Sequence, residues 1–294
     1  MNSLRSMLFV PAVDRRKIDK ALGTPADCVI LDLEDAVALA DKSRARDLAR
    51  DVLKAAGPKC VYVRVNGVTT PFVVGDLLVV VGGVPDGIML PKVESGEEVL
   101  RVDWLLGQLE EDSGLVRGQI DLIPLIETAR GVLKAGEIAA TCPRVKRTAF
   151  GAVDYTLDLG VSLSQEGEEL FYPRSRLVVT ARAAGREGPV DSVYPDVGDQ
   201  VGLERECRLA RKLGFQGKLA IHPAQIDVIN EIFTPTRNEI EFAAKVARAF
   251  ASAEKEGVAA IRLGGRFIDY PVAAQAARIL EKARLLGLYR EDDK

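Results

Sequence analysis

The 294-residue chain has one histidine, His222, and four cysteines, none in a CxxC pair. A single imidazole excludes chemistry that needs two. With the thiols scattered at Cys28, Cys60, Cys142 and Cys207, no zinc ligand set forms either. Such cysteines read as small apolar core residues of a reducing compartment, so the cytoplasm is the expected location. There is no basic block. The formal net charge is −3, and the 9 Phe and 6 Tyr are not interleaved with Lys and Arg, so nucleic acid is not an expected partner. No apolar run approaches the roughly 20 residues of a membrane span. The opening MNSLRSMLFVPA lacks the apolar stretch of a secretion signal. A Gly-rich dinucleotide fingerprint and a GxxxxGKS/T phosphate loop are both missing.

Apolar residues make up 47% of the chain, enough for a large core. Short, mostly apolar runs at 6–10, 28–33, 61–65, 87–90, 120–125, 147–150, 190–193 and 218–221 suit strands buried on both faces of a parallel sheet. Helical patterns lie between them, at 42–56, 96–111, 129–140 and 203–213. Eight strands alternating with helices predict an α/β fold, a (β/α)8 TIM barrel, with an open doubly wound sheet as the alternative. The predicted barrel occupies residues 1–230, and 231–294 form a C-terminal helical extension. In that extension LGGRFIDYP interrupts two amphipathic helices as a turn or short hairpin. The segment 162–173, with QEGEEL, is expected to be an exposed loop.

Two acids stand where apolar runs stop: Glu127 in DLIPLIETARGV and Asp154 in RTAFGAVDYTLDLG. In a parallel barrel all strand-to-helix junctions open on one face. Carboxylates there are hard oxygen ligands of the kind Mg2+ takes. Singly, each better suits a helix cap or a first-turn acid; together, and with Arg64, the site reading becomes the better one. LDLEDAV ends a strand with Asp32, Glu34 and Asp35, which need cations if buried. YVRVNG places Arg64 between apolar neighbours, where it grips a substrate carboxylate or pairs with Glu34 or Asp35. Lys92, just past a strand end in GIMLPKVES, is an anion-steering group or an ordinary loop lysine. Arg15, Arg16 and Lys17 open a helix after MLFVPAVD and either contact phosphates or are solvated. His222, in KLAIHP, is a structural residue or a ligand contact.

Taken together and in order, MLFVPA, LDLEDAV with Lys42 and Arg46 behind it, RVNG, GIMLPKVES, LIETARGV, FGAVDYTLDLG, PRSRLVVTARAAG, LGFQGKLAIHPAQI and GRFIDYPVA resemble the citrate lyase β-subunit-like family of the HpcH/HpaI aldolase and malyl-CoA lyase superfamily. The matching stretches span nearly the whole chain. The resemblance implies Mg2+ held by Glu127 and Asp154, with Arg64 on the carboxylate of an α-keto or hydroxy acid and Glu34, Asp35 and Lys92 around it. It implies that Asp269, in GRFIDYP, is an acid or base delivered by an adjacent subunit of a homotrimer or hexamer. It also implies coenzyme A as the thiol carrier, near Arg15, Arg16, Lys17 and His222. The expected activity is cleavage or formation of a β-hydroxyacyl-CoA such as malyl-CoA or citramalyl-CoA. A malyl-CoA-type thioesterase and a citryl-ACP lyase β component with an acyl-carrier partner are the alternatives. Pro11-Ala12 replaces the family's usual Pro-Gly after the first strand, which makes a CoA contact there less secure. No histidine follows the second strand, which argues against the class II pyruvate aldolase branch.

Overall fold

The computed structural model describes residues 4–55 and 57–290. It divides into two compact units, Leu4–Phe233 and a second one from Thr234 onward. In the first, eight strands close into a parallel barrel in sequence order. They are β1 (Ser6–Pro11), β2 (Cys28–Asp32), β3 (Cys60–Arg64), β4 (Gly87–Leu90), β5 (Asp121–Ile126), β6 (Ala149–Phe150), β7 (Val190–Asp191) and β8 (Gly217–Ala220). Helices α1 (Arg15–Leu22), α2 (Lys42–Ala55), α3 (Val73–Val80), α4 (Gly96–Asp112), α5 (Ala129–Ala140), α6 (Ala152–Leu159), α7 (Phe171–Ala183), α8 (Gln200–Leu213) and α9 (Ile226–Phe233) complete the unit.

Alternation along the strands divides their side chains into two layers. Met7, Cys28, Ile30, Cys60, Tyr62, Met89, Ile123, Leu125, Ala149, Val190 and Leu219 fill the barrel interior. The residues between them, such as Leu8, Val29, Leu31, Val61 and Val63, join the apolar faces of the helices in a larger core. Gly87 leaves room inside: a Cβ there would fall 2.2 Å from the Tyr62 ring. Helix starts carry side-chain caps, with Asp14, Ser95, Thr128 and Asp199 accepting first-turn N–H groups of α1, α4, α5 and α8.

Three helices escape the sequence periodicity. In α3, VVGDLLVV is apolar on nearly every face. In α7, the core-facing side includes Arg174, which is 1% exposed and paired with Asp191. Its start overlaps the segment expected to be a loop, and Pro173 sits in the first turn, where a missing N–H costs nothing. The third, α9, follows the last strand after a short 3-10 turn. Strands β6 and β7 are two residues each, shorter than the runs suggest. Arg147, ahead of β6, turns to Asp121 and Glu187, and Ser192, past β7, accepts the Ala152 N–H.

In the second unit α10 (Arg237–Lys255) and α11 (Tyr270–Leu285) pack through Ile240, Ala243, Val246, Phe250, Ala276, Leu280 and Ala283. A capping box, Thr236 with Glu239, starts α10. Between the helices, β9 (Ile261–Leu263) and β10 (Arg266–Ile268) form an antiparallel hairpin. Its turn is Gly264-Gly265, both at positive φ, the backbone that a two-residue hairpin turn requires. Among the described residues no helix is long and apolar enough to cross a membrane.

Candidate active site

The inward alternation that fills the barrel continues past the strand ends and changes chemistry there. Cys28 and Ile30 lead to Asp32, Cys60 and Tyr62 to Arg64, Ile123 and Leu125 to Glu127. All three therefore emerge at the C-terminal mouth, where barrels carry their chemistry. Asp32 and Arg64 are register partners on β2 and β3. Arg64 Nε and Nη2 donate to the two Asp32 oxygens at 2.7 Å each, and Nη1 lies 2.9 Å from Glu34 Oε2. The guanidinium also stands 4.8 Å from the Phe9 ring centroid, on β1. Burial opposes the Arg64 charge, but hydrogen bonding and the charges of Asp32 and Glu34 outweigh it and hold the group firmly protonated. Glu34 is a partner as expected, and the other is Asp32 rather than Asp35.

Glu127 directly follows β5 and is 1% exposed. It is not a helix cap, since Thr128 fills that role on α5. Its Oε1 accepts the Lys92 N–H at 2.8 Å. Gly151 makes room for the other oxygen, because a Cβ there would lie 2.4 Å from Oε2. Burial, then the charges of Asp154 and Glu34, push the Glu127 carboxyl up to about 8. Asp154 stands in the first turn of α6 with its side chain 30% exposed. The positive charge of Arg64 does not offset the upward push on Glu127, and hard oxygen donors in such a cradle fit a divalent cation. Among the described residues no group of three His, Cys, Asp or Glu side chains gathers as a ligand set. Such an ion would take two carboxylates and leave its other positions open.

Lys92, beyond β4, adopts a left-handed φ of 53°, uncommon for a side-chain-bearing residue. Its Nζ lies 2.7 Å from Glu34 Oε1, 3.2 Å from Asp35 Oδ2 and 3.7 Å from Asp154 Oδ1. Burial works against this ammonium, but the hydrogen bond and charge of Glu34 hold it above the usual lysine range.

One supporting cation carried a signal in the sequence, the lysine behind LDLEDAV, although its contacts were not legible. Lys42 is 6% exposed, and its Nζ donates to the carbonyls of Leu33 and Glu34 and to Asn66 Oδ1 at 2.6, 2.7 and 2.8 Å. Asp76, fully buried, in turn accepts from Asn66 and Arg46. This lysine fixes the turn that carries Glu34. Lys42→Met is expected to leave buried carbonyls unpaired and cost about 2–4 kcal/mol, read as a lower urea midpoint.

The basic residues near β1 divide. Lys17 and Lys20, with His222, Phe9 and Pro11, line a cleft of about 320 Å3 beside β1. Arg15 instead pairs with Asp19 at 2.8 Å on the exposed side of α1, and Arg16 is exposed. His222 Nδ1 accepts the Ala224 N–H at 3.2 Å, capping the turn Pro223–Gln225 while facing the cleft. Asp269 belongs to the second unit. It is half-buried and caps α11, its Oδ1 accepting the Val272 N–H at 3.2 Å.

Residues 5–223 match the family model described as HpcH/HpaI aldolase/citrate lyase, and residues 173–288 match one described as C–C bond lyase of the TIM-barrel fold. The chain is 35% identical over 289 residues to citrate lyase subunit beta of Escherichia coli (strain K12), covering 98% of this chain and 95% of that protein. It is 36% identical over 287 residues to the (3S)-malyl-CoA thioesterase of Cereibacter sphaeroides (strain ATCC 17025 / ATH 2.4.3), covering 97% and 96%. Among solved structures, CitE from Mycobacterium tuberculosis, in complex with magnesium, acetoacetate and coenzyme A, aligns with a TM-score of 0.77 at 34% identity, covering 96% of this chain and 98% of that one.

Proposed function

Because the chain belongs to the HpcH/HpaI aldolase/citrate lyase family, we propose that it is a Mg2+-dependent carbon–carbon lyase acting on a β-hydroxyacyl-CoA such as malyl-CoA or citramalyl-CoA. The observation that carries this reading is the Glu127 carboxyl, pushed up by its burial and by the charge of Asp154, beside a guanidinium clamped from behind. Glu127 and Asp154 would hold the ion, which supplies Lewis acidity for a keto or hydroxyl oxygen when bound.

The chain's own groups account for the rest. Arg64 donates two of its five N–H groups to Asp32 and lies against Glu34 as an ion pair, which leaves the Nη1 N–H groups and one on Nη2 as a planar fork for a substrate carboxylate. Asp32 and the Phe9 ring hold that fork in place, so the carboxylate binds in one orientation. In the synthetic direction Asp269 removes a proton from the acyl-CoA methyl group, the resulting thioester enolate carbon attacks the keto carbon, and the alkoxide so formed takes a proton from water. In cleavage the hydroxyl proton passes to water, the keto C=O forms as the C–C bond breaks and its electron pair passes to the thioester enolate, and protonated Asp269 delivers its proton to that carbon. The methyl proton is weakly acidic, so placement of the base matters more than its strength.

We assign Asp269 to the mouth of a neighbouring copy in a homo-oligomer, a trimer or hexamer. We likewise assign the thioester's CoA portion to the cleft of Lys17, Lys20 and His222, with Arg15 and Arg16, exposed at the start of α1, as further phosphate contacts. Glu34, Asp35 and Lys92 surround the bound acid. Four free, buried thiols support a reducing, cytoplasmic setting.

Two observations favour second readings. Similarity to the C. sphaeroides thioesterase supports attack of water on the thioester carbonyl. Similarity to the E. coli subunit supports a β component that acts on an acyl carrier. Asp269→Asn tests the main reading, because asparagine caps a helix as well as aspartate does. The variant is expected to melt at the wild-type temperature and lose about 10^2–10^4-fold in kcat, the range of a positioned acid–base group. Full turnover by the variant would remove Asp269 from the mechanism.

A further inference from the structure

Five carboxylates crowd the barrel mouth: Asp32, Glu34, Asp35, Glu127 and Asp154. Their partners are unevenly distributed. Arg64 takes both Asp32 oxygens and one from Glu34. Lys92 Nζ takes the other Glu34 oxygen at 2.7 Å, reaches Asp35 at 3.2 Å, and stops 3.7 Å from Asp154. Its backbone N–H meanwhile holds Glu127 Oε1 at 2.8 Å. One residue thus touches four of the five acids, and it does so from a left-handed backbone that only a compelling set of contacts sustains for a lysine.

From this arrangement we infer that Lys92 is an internal counter-cation that sets the metal affinity of the site, a positioning role added to its place beside the bound acid. The inference rests on the reading that Glu127 and Asp154 take the ion. The Lys92 ammonium pairs with Glu34 and Asp35 and so offsets negative charge that would otherwise attract the ion to the neighbouring Glu127 and Asp154. It also places a positive charge beside Asp154, which disfavours a divalent ion there by direct repulsion. Both effects weaken metal binding, and without this cation the mouth would hold the ion more tightly.

The test is calorimetric titration of Mg2+ alone into the metal-stripped protein at fixed ionic strength, so that turnover plays no part. Lys92→Met and Lys92→Gly are expected to bind Mg2+ about tenfold tighter than wild type. Glycine adopts the left-handed backbone freely, so Lys92→Gly is the variant that folds without strain. Lys92→Arg keeps the charge and is expected to stay within about threefold of wild type. Equal or weaker Mg2+ binding by Lys92→Gly would overturn the inference, as would tighter binding by Lys92→Arg. Asp154→Asn is the parallel control and is expected to lose Mg2+ binding. If it does and Lys92→Gly binds no tighter, only the counter-cation role falls. If Asp154→Asn binds like wild type, the metal assignment itself falls and takes this inference with it.

Discussion

Glu127→Gln is expected to abolish measurable Mg2+ binding and lower kcat on the order of 10^3-fold, because it removes a charge and keeps the shape. Glutamine Oε1 still accepts the Lys92 N–H, and its amide fits beside Gly151 as the carboxylate does. Stability should move the other way. The folded-state value of Glu127 is about 8, well above the usual 4.5, so folding favours the protonated form. In metal-free protein the stabilisation is complete below the unfolded value and is lost as pH rises through 8. Wild type in EDTA should therefore weaken between about pH 4.5 and 8 from this group, and Glu127→Gln should not. The two melting curves should converge in acid, with the variant the more stable at pH 8. Thermal melts with EDTA across that range check the sign. A variant no more stable than wild type at pH 8 would mean that Glu127 is balanced by charges other than the metal.

Arg64→Lys is expected to lower kcat/KM about 10^2–10^3-fold while leaving Mg2+ affinity unchanged. Lysine keeps the charge but offers a point donor instead of a fork. It cannot bridge both Asp32 oxygens, approach Glu34 and still present two parallel N–H groups to a carboxylate. The stability loss should be modest, about 1–2 kcal/mol, since the buried acids keep a cation. Arg64→Met leaves the buried Asp32, 2% exposed, without its cation and should cost about 3–5 kcal/mol. Denaturant unfolding of both variants, beside their kinetics, separates recognition from folding. Equal kcat/KM for wild type and Arg64→Lys would remove carboxylate gripping from the role of Arg64.

The barrel was legible because its strands are short apolar runs at regular intervals, and β4 lies at 87–90 as read. Helix α3 was not, since a helix apolar on every side has no period, and α7 hid its core face behind Arg174. The junction positions of Glu127 and Asp154 followed from where those runs stop. Which acid serves which cation did not follow, because it depends on contacts between strands far apart in the chain. Asp32 meets Arg64 across a β2–β3 register, and Lys92 crosses from β4 to Glu34 and Asp35. The sequence pattern does not distinguish Arg15 from Lys17 as a cleft-lining residue, whereas the helical phase of α1 turns Lys17 and Lys20 to the cleft.

The most direct test of the account is the product of the purified chain alone, given Mg2+ and malyl-CoA or citramalyl-CoA and read by mass spectrometry beside an EDTA control. The account predicts metal-dependent release of an acyl-CoA together with an α-keto acid. Free CoA with an intact hydroxy acid, or no turnover without an added acyl carrier, would contradict it.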